Sequence, residues 1–129
     1  MPKALLCRFC TMDRENPVKD KSFQFAIEII NLYKYLTSKK REYILSKQIL
    51  RSGTSIGANI EEALSSQSKK EFIAKLNISL KEARETSYWL RLLKATGFIQ
   101  KDELLVKSEE LLKILTSIII STKQNLEKK

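Results

Sequence analysis

The chain has 129 residues, which suits one domain, and its three glycines and two prolines are too few for the turns of an all-β fold. Its formal net charge of +9 favours acidic partners such as nucleic acid, although small basic proteins without that role are common. The chain has no histidine, so it lacks the commonest general base and metal ligand, which argues against an enzyme.

Residues 1–19 carry no helical or strand periodicity, and we predict a disordered or leader segment there. Met12 is a candidate natural start within this segment. Cys7 and Cys10 form a lone C-x-x-C motif, interpreted as incidental thiols because two cysteines without histidine do not complete a tetrahedral zinc site. No apolar run approaches the roughly 18 residues of a membrane span. We therefore expect a cytoplasmic protein with no membrane partner.

The first helix is predicted to run from Asp20 or Ser22 to Thr37, because both starting residues are good N-cap types. Its apolar residues form two stripes at helical spacing. One stripe consists of Phe23, Ala26, Ile27, Ile30 and Tyr33, and the other of Phe25, Ile29, Leu32 and Leu36. We expect one stripe to face the bundle core and the other to face a partner subunit.

The second helix is predicted to run from Glu42 to Leu64, with a centre of small residues around Gly53 and Gly57. A glycine inside a helix costs roughly 1 kcal/mol relative to alanine. The sequence therefore predicts a compensating close approach of another helix at this face. A polar notch that faces a ligand is the alternative interpretation.

The third helix is predicted to run from Lys69 to Thr96. Ser68 and Glu71 before and within its first turn have the spacing of a capping box. Gly97 is expected to follow the helix end in the left-handed conformation that glycine adopts readily.

The fourth helix is predicted to run from Lys101 or Asp102 to Gln124. Its main apolar stripe is flanked by three residues that indicate a second contact: Val106, Ile114 and Ile120. Four helices with short connections predict an all-α fold, an antiparallel up-down four-helix bundle over residues 20–126.

Pairing the second and third helices as an antiparallel hairpin places Ser52 opposite Glu82, and Arg51 within reach of Glu82 and Glu85. The predicted polar seam comprises Arg51, Ser52, Ser55, Asn59, Glu82, Glu85 and Tyr88. Buried charges are costly unless paired, so one interpretation is an internal ion-pair network that sets helix register. A binding face or subunit contact is the other. Catalysis by the carboxylates is disfavoured, and no catalytic, cofactor-binding or metal-ligating residue is predicted.

Basic residues dominate the first connection and the third helix. The candidate nucleic-acid contacts are Lys39, Lys40, Arg41, Lys70, Lys81 and Arg84. No recognised nucleic-acid-binding motif accompanies them, and a merely solvated charged face is the alternative.

Two segments carry a family resemblance that extends over about Asn16 to Ile120. R-S-G-T-S-I-G-A-N-I-E-E-A runs from Arg51 to Ala63, and K-E-A-R-E-T-x-Y-W-L from Lys81 to Leu90. They resemble a four-helix-bundle family encoded within intervening sequences of bacterial 23S ribosomal RNA genes. The resemblance implies a homopentamer whose chains begin near Met12. The family is also similar to the accessory protein of diversity-generating retroelements, a basic pentamer that binds nucleic acid and a reverse transcriptase.

The leading functional hypothesis is a non-enzymatic oligomer that associates with RNA or DNA through the basic surfaces of a ring. The alternative is a protein-binding scaffold or adaptor that makes no direct contact with nucleic acid. Because the chain lacks histidine and shows no metal site or nucleophile motif, an enzyme ranks last.

Overall fold

The computed structural model describes residues 16–127, with the side chains of residues 16–126, and these residues form four helices and no strand. The helices are α1 (Pro17–Ser38), α2 (Leu45–Leu64), α3 (Lys69–Ala95) and α4 (Glu103–Glu127). The predictions for Met12, Cys7 and Cys10 lie outside the described residues.

The first helix begins earlier than its predicted start at Asp20 or Ser22. The Asn16 side chain accepts a hydrogen bond from the backbone N–H of Lys19 at 3.0 Å, and Pro17 occupies the first helical turn. Proline is favourable there because its missing N–H has no intrahelical partner to lose. Val18 is buried in the same turn. The segment predicted to be disordered therefore overlaps the first turn of α1.

The second helix begins at Leu45, three residues after its predicted start, and Glu42 caps it from outside. The Glu42 carboxylate accepts hydrogen bonds from the backbone N–H groups of Ile44, Leu45 and Ser46 at 3.2, 3.0 and 2.7 Å. Burial alone would raise the pKa of Glu42, but these backbone hydrogen bonds together lower it. Arg41 adopts a positive φ of 53°, which turns the chain sharply before the cap.

The third helix begins with the predicted capping box in a slightly different form. Ser68 Oγ accepts from the Glu71 N–H at 3.1 Å, and the Glu71 carboxylate reaches back to the N–H of Gln67 at 2.8 Å. At the other end, Gly97 has a φ of 85°, the left-handed conformation expected after the helix.

The four helices pack in chain order around one core, with α1 closing against α4. Their directions follow from the residues that meet. Along α1, Lys21 pairs with Glu110 and Glu28 with Lys107, so α1 and α4 run in opposite directions. The predicted four-helix bundle is confirmed. The largest fully buried side chains are Phe25, Ile29, Leu36, Ile49, Ile56, Ile60, Phe72, Leu76, Leu90, Leu93, Leu111 and Leu115.

The apolar stripe of α1 that contains Phe23 lies on the surface of the single chain. Phe23 is 65% exposed, and Ile27 and Ile30 are each 38% exposed. On α4, Val106 and Ile120 are 60% and 51% exposed. The other stripe of α1 supplies side chains to the core, as predicted, and the subunit contact expected for the exposed stripe stays a prediction.

Candidate functional site

The small-residue face of α2 lies against α1. A Cβ atom built on Gly53 would lie 2.8 Å from both Cγ atoms of Ile29, and one on Gly57 would lie 3.3 Å from Ser22 Oγ. Atoms this close to Gly53 leave no room for a side chain unless α1 and α2 separate. The face is therefore filled by a neighbouring helix, and at Gly53 and Gly57 it holds no polar notch.

Buried hydroxyl groups join α2 to α3. The hydroxyls of Ser52 and Thr86 are hydrogen-bonded at 2.9 Å, and Ser79 Oγ donates to the carbonyl of Ile56 at 2.8 Å. Ser52 therefore faces Thr86, one turn beyond the predicted Glu82. Thr86 and Ser79 were absent from the predicted seam, although their seven-residue spacing places both on one face of α3. These bonds favour one axial alignment of α2 against α3, because sliding either helix would leave a buried polar group without its hydrogen-bond partner.

Arg51 joins α2 to both predicted glutamates. Its guanidinium donates to Glu82 Oε1 and Oε2 at 3.2 and 3.3 Å and also to Glu85. The Trp89 indole N–H donates to Glu85 Oε2 at 2.9 Å. The side chain of Arg51 is 49% exposed and that of Glu85 35% exposed, so this network lies at the surface.

The network has the chemistry of a structural contact. The hydrogen bond from Trp89 has the largest effect on Glu85 and lowers its pKa, the bond from Arg51 lowers it further, and burial opposes both. A carboxyl group with a lowered pKa is a weak base at neutral pH. Arg51 and Trp89 both donate to Oε2 of Glu85. The arrangement therefore links α2 to α3 and leaves Glu85 a weaker base than a free carboxylate.

The remaining seam residues do not join this network. Ser55 Oγ donates to the carbonyl of Arg51 at 2.6 Å, and Asn59 Nδ2 donates to the carbonyl of Ser55 at 2.8 Å. Tyr88 is 48% exposed and contacts Trp89 edge-on, with ring centroids 5.2 Å apart. Of the seven seam residues, Ser52 is therefore in a buried hydroxyl pair with Thr86, three form a surface ion-pair network, and three lie outside both.

The six candidate nucleic-acid contacts are all exposed, and within the described part of the chain none forms an ion pair. They occupy three places. Lys39, Lys40 and Arg41 lie in the α1–α2 connection, Lys70 lies in the first turn of α3 at the opposite end of the bundle, and Lys81 and Arg84 lie midway along α3. The cations that do pair with carboxylates are Lys19, Lys21, Arg51, Lys75, Lys94 and Lys107.

A groove between α3 and α4, the α3–α4 groove, extends the basic surface of α3. It has a volume of about 670 Å³. Its lining includes Arg84, Lys113, Thr116, Ser117, Ile120 and Gln124, and no carboxylate. Lys113 was not among the predicted contacts. It lines the same groove as Arg84 only because of the way α4 is aligned against α3, and the sequence does not give that alignment.

A second cavity, the end cavity, lies beside the α1–α2 connection. It has a volume of about 490 Å³, and its lining is mainly apolar but also contains Gln100, Glu103 and two lysines. Its lining includes Leu32, Tyr35, Lys40, Phe98, Ile99 and Lys101. Tyr43 and Ile44, in the same connection, are 54% and 75% exposed.

The described residues contain neither a cluster of metal ligands nor a membrane-spanning helix. Among residues 16–126, no three acidic or sulfur-bearing side chains lie close enough together to hold a metal ion. None of the four helices has a stretch apolar enough, over the length that a bilayer requires, to span a membrane.

Comparison with known proteins places this bundle in a family. The family model for 23S rRNA-intervening sequence proteins matches residues 14–118. The chain is similar to the crystal structure of a Bacteroides thetaiotaomicron VPI-5482 protein of unknown function from the S23 ribosomal protein family, with 56% sequence identity and a TM-score of 0.78. The likeness covers 79% of this chain and 97% of the other. None of the curated proteins matches the chain. The resemblance inferred from the two sequence motifs is thereby confirmed: the chain belongs to the 23S rRNA-intervening sequence protein family.

Proposed function

We propose that this protein is a non-enzymatic oligomer that binds RNA or DNA through its basic surfaces. The observation that carries the proposal is a surplus of unpaired cations on the surface. Six cations form ion pairs with carboxylates, whereas others, including all six candidate contacts, are exposed and have no anionic partner among the described residues. Unpaired surface cations attract phosphates and release counterions when they bind them.

Oligomerisation is supported by the apolar side chains that a single chain leaves on its surface. Phe23, Ile27 and Ile30 form a continuous stripe on α1, and Val106 is exposed on α4. Exposed apolar patches of this kind mark interaction sites. A homopentamer, which the family resemblance implies, would repeat every basic surface around a ring. Weak phosphate contacts then add through multivalency.

The test is a titration of the purified protein, with its oligomeric mass measured, into labelled structured RNA and duplex DNA across a salt series. The logarithm of the binding constant is expected to fall linearly with the logarithm of salt concentration. The slope should be about −0.7 to −0.9 per phosphate contacted. A variant with Lys39, Lys40 and Arg41 all changed to glutamine should bind more weakly with a shallower slope. Absence of binding at low salt would refute the proposal.

A protein-binding scaffold or adaptor remains the second candidate function. It is favoured by the exposed Tyr43 and Ile44 and by the mainly apolar end cavity beside them. Affinity capture from cell lysate with and without nuclease separates the two functions. A defined protein partner that is retained after nuclease digestion supports the scaffold. A partner that is lost with the nucleic acid supports the first proposal.

A further inference from the structure

We propose that the α3–α4 groove and the adjoining face of α3 bind single-stranded nucleic acid, with phosphates on Lys81, Arg84, Arg91 and Lys113 and one base stacked on Tyr88. This inference deepens the proposed function and rests on it. It names the α3–α4 groove as one of the basic surfaces that contact nucleic acid and names single strands as the ligand.

Four side chains of the proposed binding surface are aligned along one face of α3. Lys81, Arg84, Tyr88 and Arg91 follow one another at intervals of three, four and three residues. Residues at these intervals lie on one side of a helix. All four are exposed. The stretch is about 15 Å long at 1.5 Å per residue, which is enough to follow a nucleic-acid backbone over several nucleotides.

This surface carries positive charge that no carboxylate of the groove lining neutralises. Neither Arg84 nor Lys113 forms an ion pair within residues 16–126, and both line the groove, which contains no carboxylate. The nearest glutamates of α3, Glu82 and Glu85, are bound by Arg51 on the side of the helix that faces α2. Glu82 and Glu85 of α3 therefore do not neutralise the positive charge of the groove.

The groove is lined by cations, by hydroxyl and amide groups and by aliphatic side chains. Ser117 and Ser121 present hydroxyl groups, Gln124 presents an amide, and Ile120 is a 51% exposed aliphatic side chain. Cations with hydroxyl and amide groups suit phosphate and sugar oxygens, which receive many of the contacts in protein–nucleic acid complexes. An aliphatic surface suits the face of a sugar or base.

The position of Tyr88 selects single strands. Its ring is 48% exposed on the same face of α3 as the groove residue Arg84, one turn further along, and the Arg91 guanidinium lies 5.8 Å from the ring centroid. An exposed aromatic ring beside unpaired cations is the arrangement by which proteins bind single strands with little sequence preference. A base in a duplex is already stacked on its neighbours and cannot stack on Tyr88. A base in a single strand is free to do so.

Three variants of the full chain test the inference. Arg84→Gln/Lys113→Gln removes two groove cations. Tyr88→Leu retains an apolar side chain and removes the ring. The control, Lys34→Gln/Lys47→Gln, removes the same charge from two exposed lysines on α1 and α2 that form no described ion pair. The probes are labelled poly(U), labelled poly(dT) and a DNA duplex, each titrated across a salt series. Circular dichroism and light scattering establish that each variant keeps the wild-type fold and oligomeric mass.

The Arg84→Gln/Lys113→Gln variant is expected to bind both single strands more weakly and to reduce the magnitude of the log–log salt slope by about 1.4, at about 0.7 per phosphate. The Tyr88→Leu variant is expected to lose about 5- to 150-fold in single-strand affinity with an unchanged slope. It should bind the duplex like the wild type. Binding of either poly(U) or poly(dT) supports the inference, and a preference for poly(U) indicates contacts to the 2′-hydroxyl.

The possible failures separate this inference from the proposed function. If the wild type binds none of the probes at low salt, both fail. If the wild type binds but the groove variants behave like the control, the groove is not the binding surface, whereas the proposed function stands. Tighter binding of the duplex than of single strands would also overturn the inference. So would a groove variant with altered oligomeric mass, because the groove would then be a subunit contact.

Discussion

Replacing Gly53 with alanine should destabilise the protein, although alanine is the better helix former. Alanine in place of a helical glycine gains roughly 1 kcal/mol. At Gly53, however, the new Cβ would lie 2.8 Å from Cγ1 and Cγ2 of Ile29 and 3.2 Å from its Cβ. These atoms are close to the α1 backbone, so a side-chain rotation does not remove the overlap. The two helices would have to move apart, and overpacking of this kind costs about 1–3 kcal/mol.

Gly57 provides a matched control on the same helix. A Cβ there would lie 3.3 Å from Ser22 Oγ and 3.4 Å from the Ser22 carbonyl oxygen, which requires only a small displacement. Both substitutions gain the same helix propensity, so that gain cancels in their difference. The Gly53→Ala variant should therefore have a free energy of unfolding about 1–3 kcal/mol below that of the Gly57→Ala variant.

Urea unfolding followed by circular dichroism, at one fixed protein concentration, measures this difference. A second measurement uses an Ile29→Ala background, in which both Cγ atoms that obstruct Gly53 are absent. The cost of Gly53→Ala should shrink strongly there, and the two changes should be coupled in a double-mutant cycle. Equal stability of the two glycine variants, or an unchanged cost in the Ile29→Ala background, would show that the close approach of α1 and α2 is not what requires Gly53.

Three further predictions concern the cap, the buried hydroxyls and assembly. Because the folded-state pKa of Glu42 is lowered from 4.5, its carboxylate stabilises the fold above that value, and this contribution is lost as the pH falls through the folded pKa. Glu42→Gln should lower the free energy of unfolding by about 1 kcal/mol at neutral pH, as for a weakened helix cap. The difference from the wild type should vanish in acid, and a difference that stays constant with pH would contradict the role of Glu42 as a cap. Thr86→Val should lower the free energy of unfolding by about 1–3 kcal/mol, because it leaves the buried Ser52 hydroxyl unsatisfied. The double variant Ser52→Ala/Thr86→Val should regain part of that loss. Identical unfolding curves for the wild type and Thr86→Val would show that this hydrogen bond does not stabilise the fold. Phe23→Glu, on a side chain that is 65% exposed in the single chain, should lower the oligomeric mass in light scattering while helix content is retained; an unchanged mass would exclude this stripe from the subunit contact.

The sequence by itself determined the local features of this protein. Apolar residues at helical spacing predicted four helices, Ser68 and Glu71 predicted the start of α3, and Gly97 predicted its end. These features depend on residues within one or two turns of each other, so their physics is readable from one segment. The errors at the starts of α1 and α2 are also local. There, Pro17 and Glu42 take part in capping, which the sequence patterns leave open to more than one assignment.

Only the tertiary structure decided which residues meet across helices. It placed Ile29 of α1 against Gly53, paired Ser52 with Thr86, and brought Lys113 into the same groove as Arg84. Such contacts depend on the rotation and the axial alignment of two helices at once. Each residue step turns a helical position by about 100°, so an uncertainty of a few residues in alignment exchanges one facing side chain for another. Side-chain packing in the assembled core resolves that uncertainty, and no single segment contains the information to do so.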